Sequence, residues 1–434
     1  MTRIGRARSF LPVAGIILLA TGASAHADVS PGDVVDKGSW QKAEGLLPEP
    51  VLNWVKKGDF VLDIGESRID PRQMHPRYLL DSFQSNRDRY DIDAEGGILD
   101  RPSGQRAGYI LGMPFPDIDP KDPKVVHKLM YNHQYMQHAY GSFRFNFQLI
   151  WVGRSGFERE VEAQWQSVSM TCHPGAKDMP NPAGIERYSI LLVKTPFDIA
   201  GTAIMLWRYL SPTTPDNTFG YVPAIRRVRR MSTANRSDTF IGSDECVDDA
   251  NGYDGKVTAF DWKLLRVQDA VIPWLDTRIY PFVQNKKGEW TTTTDVKPVI
   301  YGYQKEGWTG APWAPTNLVW VKRPLYVIEM TPKDRYYNYG THYIWVDPET
   351  YATTYKVIYD RSGKYWKTLY MVNFFCQSED KSMALVAVAG QNIVDERAEH
   401  ATITENCGPR NVWTMFANVD PNDFSMAGFQ KFCK

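Results

Sequence analysis

The stretch Phe143-Arg144-Phe145-Asn146-Phe147-Gln148-Leu149-Ile150-Trp151 decides the fold class. Apolar Phe143, Phe145, Phe147, Leu149 and Trp151 alternate with polar Arg144, Asn146 and Gln148. A period of two places alternate side chains on opposite faces of a pleated strand, so the segment is predicted to be a half-buried β-strand with its aromatic face turned to a core. Fourteen Trp and 23 Tyr in 434 residues point the same way, because large aromatic side chains suit strands better than helices.

Toward the C-terminus, strand-like runs recur behind turn signals at 159–170, 187–193, 202–209, 221–229, 256–265, 318–330, 342–346, 353–359, 365–375 and 384–389. Sequential antiparallel strands of this kind predict a mainly β (α+β) fold: a large curved antiparallel sheet forming an incomplete barrel, with helices packed inside or across it. Toward the N-terminus, residues 124–138 read as a helix behind the acidic start Asp119 to Asp122, and residues 40–58 as a short helix stopped by Gly58. Residues 60–64 read as a strand and residues 67–106 as a long polar loop with one small helix. Residues 28–140 are expected to pack on a half-barrel of residues 141–434 as one structural unit. The stretch 267–315 is too long for an ordinary connection and is expected to be an insertion that caps the sheet as a lid.

At the extreme N-terminus, Arg3, Arg6 and Arg8 precede an apolar run from Phe10 to Ala20 and the small-residue site Ala25-His26-Ala27. This is the pattern of a cleaved signal peptide over residues 1–27, with Asp28 as the new N-terminus. The apolar run is shorter than the roughly 20 residues a bilayer-spanning helix needs. The first cysteine is Cys172, so no lipoprotein anchor is expected at the cleavage point. The expectation is a soluble periplasmic protein of a Gram-negative bacterium with no transmembrane span. Removing the three arginines leaves 47 basic side chains against 50 acidic ones, a net charge of about −3, which with export excludes nucleic acid as the natural partner.

Five cysteines, Cys172, Cys246, Cys376, Cys407 and Cys433, are an odd number with no CxxC spacing. A Cys407–Cys433 disulfide is expected, because it would tie the C-terminus to the body across a short loop.

The densest local feature is Arg226-Arg227-Val228-Arg229-Arg230. Strand alternation sends Arg227 and Arg229 to one face and Arg226 and Arg230 to the other. One reading places these arginines, with Asp244, at the mouth of a cavity, holding an anionic head group. The other pairs them internally with Asp238, Asp244, Asp248 and Asp249. Asp244, Asp248 and Asp249 lack the glycine and glutamate of an EF-hand and read as a solvated acidic loop. His127, His133 and His138 sit at spacings of six and five, which share no helix face, so no metal site is expected. Cys172-His173 runs into Pro174-Gly175 and reads as a turn. The common catalytic signatures are missing, and a non-enzymatic protein without a cofactor is expected.

The segment Tyr221-Val222-Pro223-Ala224-Ile225-Arg226-Arg227-Val228-Arg229-Arg230, followed by Ser237 to Asp244, resembles the strand-to-Gly-Ser-Asp-loop motif of outer-membrane lipoprotein-sorting proteins. Trp345 to Thr350 followed by Tyr359 to Lys364 resembles the same family's later hairpin, and Ala43 to Pro48 with Gly112 to Pro116 is similar to a longer proteobacterial subfamily of unknown function. Glu245 and Cys246 stand where that family's loop has an aromatic residue. The resemblance implies an incomplete barrel with an apolar cavity for acyl chains. Phe145, Phe147, Leu149, Trp151, Leu206 and Trp345 are the expected lining. The functional expectation is a periplasmic carrier or accessory binding protein for a lipid, a lipoprotein acyl chain or another hydrophobic molecule, with an envelope membrane protein or transporter as a candidate partner. The alternative is a non-transporting docking component of a cell-envelope complex.

Overall fold

The computed structural model describes residues 28–434, the side chains of Thr233 and Ala234 excepted. The signal-peptide reading of residues 1–27 lies outside the described residues. The chain begins with β1 (Val34–Val35), helix α1 (Glu49–Lys57) and β2 (Leu62–Asp63), which pairs with β1. Gly58 closes α1 at φ +82°, a left-handed cap that a Cβ would strain, as its place after Lys56-Lys57 predicts. Next come α2 (Arg77–Asn86) and a small sheet of β3 (Tyr90–Ile92), β4 (Ile98–Asp100) and β5 (Gln105–Arg106) within the stretch read as loop. Helix α3 (Val125–His138) comes after them and is buried on nearly every side.

The main sheet then runs β6 (Ser142–Gly153), β7 (Gly156–Ser169), β8 (Ile185–Thr195), β9 (Ala203–Tyr209), β10 (Asn217–Val222), β11 (Arg227–Met231), β12 (Phe260–Gln284), β13 (Trp290–Thr292), β14 (Val319–Pro332), β15 (Tyr339–Val346), β16 (Thr353–Asp360), β17 (Tyr365–Gln377), β18 (Ala384–Asp395), β19 (His400–Glu405) and β20 (Thr414–Met415). Helix α4 (Met426–Phe432) ends the chain. The fifteen strands form one mainly antiparallel sheet in the order β11-β10-β9-β8-β7-β6-β19-β18-β17-β16-β15-β14-β12-β13-β20. β20 returns to pair with β6, and β12 makes one parallel contact with β17, so the sheet curls back on itself without becoming a regular barrel. The fold is therefore mainly β with few helices, as the alternation predicts.

β6 shows why the fold takes this shape. Its first half alternates as expected, with Phe143, Phe145 and Phe147 buried between half-exposed neighbours, but from Gln148 onward both faces are buried. The Gln148 side-chain oxygen accepts there from the Asn411 side-chain amide at 2.5 Å. One hydrophobic cluster extends from Val29 to Met415. A second one, under α4, gathers Ile190, Met205, Phe219, Phe424 and Phe429.

The supposed insertion is corrected here. Residues 267–284 are the second half of β12, a 25-residue strand hidden in the sequence by Pro273, Pro281 and a bulge between Leu264 and Arg266. Residues 293–318, which connect β13 to β14, pack on the sheet rather than hanging over it. Tyr301 lies against Gly390, and Tyr370 Oη donates to the Trp313 carbonyl at 3.1 Å. The disulfide is corrected too: all five cysteines are free and buried, with Cys407 in the larger cluster and Cys433 in the smaller. Among the described residues no helix is long and apolar enough to cross a membrane.

Candidate binding cavity

The cavity grows from the cross-strand register. Phe145 stands opposite Trp165, Trp165 opposite Leu191, and Leu191 opposite Ile204, so one row of large apolar side chains crosses β6, β7, β8 and β9 on a single face. Phe147, Leu149 and Leu206 extend the wall on either side of that row. Between this wall and the segment from Phe240 to Asp254 lies a cavity of about 110 Å³. A smaller one of about 50 Å³ adjoins it at Phe145, Trp165 and Asn251 and runs in beside α3. The larger is a small slot lined mainly by apolar side chains.

The facing segment is held by buried ion pairs. Asp249 receives Lys356 Nζ at 2.6 Å, the Tyr339 hydroxyl at 2.9 Å and the Cys246 backbone N–H at 2.9 Å. Asp248 receives Arg236 Nε at 2.6 Å and the Tyr337 hydroxyl at 3.0 Å. Asp254 pairs with Arg187 and lies 3.4 Å from Arg208 Nη1, while Arg208 also grips Asp216 at 2.8 Å. Burial pushes the Asp254 carboxyl up, but Arg187 and Arg208 outweigh it and hold the group well below the usual carboxylate range. The expected solvated acidic loop is thus overturned. Asp248 and Asp249 are buried because Arg236 pairs with the first and Lys356 of β16 with the second, pairings no local spacing reveals. Among the described residues no cluster of His, Cys, Asp and Glu is placed to hold a metal.

The polar end of the cavity is built differently. Glu245, Gln391, Thr404 and Asn406 come together where the facing segment meets β18 and β19. Thr404 Oγ1 donates to Glu245 Oε1 at 2.9 Å. Burial is the largest influence on Glu245 and pushes its carboxyl up to about 8, so it is neutral at pH 7. Asn406 is 6% exposed and its side-chain oxygen has no hydrogen-bond partner. None of these four residues stands out in the sequence. Their one signal is polarity at positions where a strand faces the core.

Of the residues expected to line a cavity, Phe145, Phe147, Leu149 and Leu206 come together in it. Trp151 lies beyond its end, donating from Nε1 to the Gly242 carbonyl at 2.9 Å with Arg159 over its ring. Trp345 sits on β15 against Tyr355 and borders a separate groove. The arginines lie at the sheet's outer strand and are exposed. Arg226 caps a short turn in the left-handed region at φ +49°. Arg229 stands opposite Gly220, and Gly220 opposite Ile204, so Arg227 and Arg229 share the cavity's face of the sheet. Arg230, opposite Phe219, turns to the other face and hydrogen-bonds the Asn217 side chain. Asp244 is not with them: it holds His400 Nδ1 at 2.6 Å and Thr402 Oγ1 at 2.8 Å.

Fold and cavity together define a class: a curled, largely antiparallel sheet holding a small, mainly apolar slot with an ion-paired segment across it. The chain belongs to the DUF1329 family, described as a protein of unknown function, whose model matches residues 34–429. Among curated proteins the sequence finds no match. Among solved structures it is similar to a domain described as an outer membrane lipoprotein-sorting protein from Vibrio parahaemolyticus, at 16% identity and TM-score 0.47, covering 70% of this chain and 97% of that one. It is also similar to a DUF1329 family protein from Desulfovibrio piger, at 14% identity and TM-score 0.43, covering 69% and 98%. A LolA superfamily protein from Nitrosomonas europaea matches at 13% identity and TM-score 0.37, covering 67% and 96%. Values this low leave function to be read from the chain's own geometry.

Proposed function

We propose that this protein is a periplasmic carrier or accessory binding protein for a slender apolar molecule, such as a lipid or a lipoprotein acyl chain. The observation that carries the reading is the slot between the Phe145–Trp165–Leu191–Ile204 row and the ion-paired segment Phe240 to Asp254. Binding would be driven by removal of apolar ligand surface from water, about 25 cal/mol per Å². Arg227 and Arg229 continue the cavity's face to the sheet's outer strand, where they would meet an anionic group at the ligand's entry point. The N-terminal signal pattern supports the periplasmic assignment.

The test is native mass spectrometry and solvent extraction of protein purified from periplasm, with displacement of the fluorescent probe N-phenyl-1-naphthylamine as the solution assay. The expected result is a retained apolar molecule, a bound probe, and loss of both in Leu206→Trp, which fills the slot. Protein that never retains an apolar molecule and leaves the probe unbound would overturn the reading.

A second reading, docking without cargo, is favoured by one feature: Val222 and Ile225, 45% and 44% exposed, lie beside the exposed arginines at the end of the sheet. In-cell crosslinking from position 225 distinguishes the two. A single stoichiometric protein partner together with an empty cavity supports docking.

A further inference from the structure

The polar end of the cavity has no role in simple apolar burial. Asn406 is buried, faces the slot, and leaves its side-chain oxygen without a partner. An unpaired buried acceptor of this kind is costly, a penalty that a ligand's donor hydrogen would relieve. Its neighbours are uncharged or neutralised. Glu245 is hydrogen-bonded by Thr404 and Gln391, and Asp254 is matched by Arg187 and Arg208. No lysine or arginine lines the slot, so a charged head group brought inside would find no counter-ion there.

We infer that the slot selects an apolar chain carrying an uncharged hydroxyl or carboxamide, whose donor hydrogen meets the free Asn406 oxygen beside Glu245 and Gln391. The Asn406 oxygen is an acceptor, which a hydroxyl or a carboxamide N–H can donate to and a bare hydrocarbon or an ether cannot, while an ammonium would bring in a charge without a counter-ion. The same polar end disfavours a fatty-acid carboxylate inserted head-first, since its charge would be buried unpaired. The inference rests on the binding-protein reading and narrows it to a ligand class.

The experiment is displacement of N-phenyl-1-naphthylamine from the full mature chain by 1-dodecanol and by its methyl ether. The alcohol is expected to compete at least about tenfold more tightly than the ether, the size of one good buried hydrogen bond. Asn406→Leu is close in shape and removes an unpaired polar group, and is expected to bring the alcohol-to-ether ratio of dissociation constants, both measured in that variant, toward one. If alcohol and ether compete equally in the native protein, or if Asn406→Leu keeps the preference, the inference is overturned while the binding-protein reading stands. If the probe and both compounds fail to bind, both fall together.

Discussion

Lys356 Nζ lies 2.6 Å from Asp249 Oδ1, with neither side chain reaching solvent. This pair joins β16 to the segment that forms the cavity's second wall, so losing one partner strands a charge in the interior. Lys356→Met is expected to cost about 3–5 kcal/mol of folding stability, measured by urea denaturation. Removing both charges, in Lys356→Met with Asp249→Asn, is expected to cost less than Lys356→Met alone. An additive loss would show that the two side chains act independently.

Gly252 occupies φ +82° where the segment turns, and a Cβ there would stand 2.5 Å from the Thr353 side chain. Strain and a steric clash coincide, so Gly252→Ala is expected to destabilise by more than about 1 kcal/mol and to weaken probe binding. Gly104, also at positive φ but with open space around it, serves as the control: Gly104→Ala carries the backbone strain alone.

Six histidines, His75, His127, His133, His138, His173 and His342, are lowered by burial and add stability as pH climbs to about 6.5, so the fall with rising pH is expected above that point. The Glu245 carboxyl is pushed up by burial to about 8, and His400 is raised chiefly by its hydrogen bond to Asp244, against opposing burial. A group whose folded pKa lies above its unfolded value contributes stability that is fully present below the unfolded value and is lost as pH climbs through the folded one. For Glu245 the window runs from the usual carboxylate range to about 8, and for His400 it opens near 6.5. The slope is at most about 1.4 kcal/mol per pH unit for each group. Urea midpoints between about pH 6.5 and 9 should show the fall, reduced in Glu245→Gln and in His400→Gln.

Reductant should leave the thermal midpoint unchanged, because all five thiols are free. Burial raises every one of them, Cys433 to about 12, so native-state alkylation should be slow throughout. Five additions should appear once the chain is unfolded without reduction. A mass showing fewer would reveal a bridge.

The sheet was legible wherever one of its faces meets solvent or a greasy wall. Phe143 to Trp151 reads as a strand because alternation survives in its first half, and most later runs lie within a few residues of the observed strands. Strands that broke the pattern were lost. β12 carries two prolines, the run at 221–229 is interrupted by a left-handed Arg226, and β19 is short and rich in threonine. The cavity divides in the same way. Phe145, Phe147, Leu149 and Leu206 announce themselves by hydrophobicity. Asn406, Glu245 and Gln391 do not, since a polar residue in a strand reads as surface until its neighbours are known. The acidic segment misled for the same reason, because its partners Arg187, Arg208 and Lys356 are distant in the chain.

With β20 fastened to β6, β11 is left as the outermost strand of the sheet, carrying Arg226, Arg227, Arg229 and Arg230 in or beside it. A bare outer strand is a template for another chain, and a second copy of the same protein would have to bring its own four guanidinium groups against these. Like-charge repulsion therefore opposes self-association along this edge and leaves it open to acidic visitors. Concentrated salt should weaken that discrimination, making protein stored at high ionic strength the more prone to aggregate edge to edge.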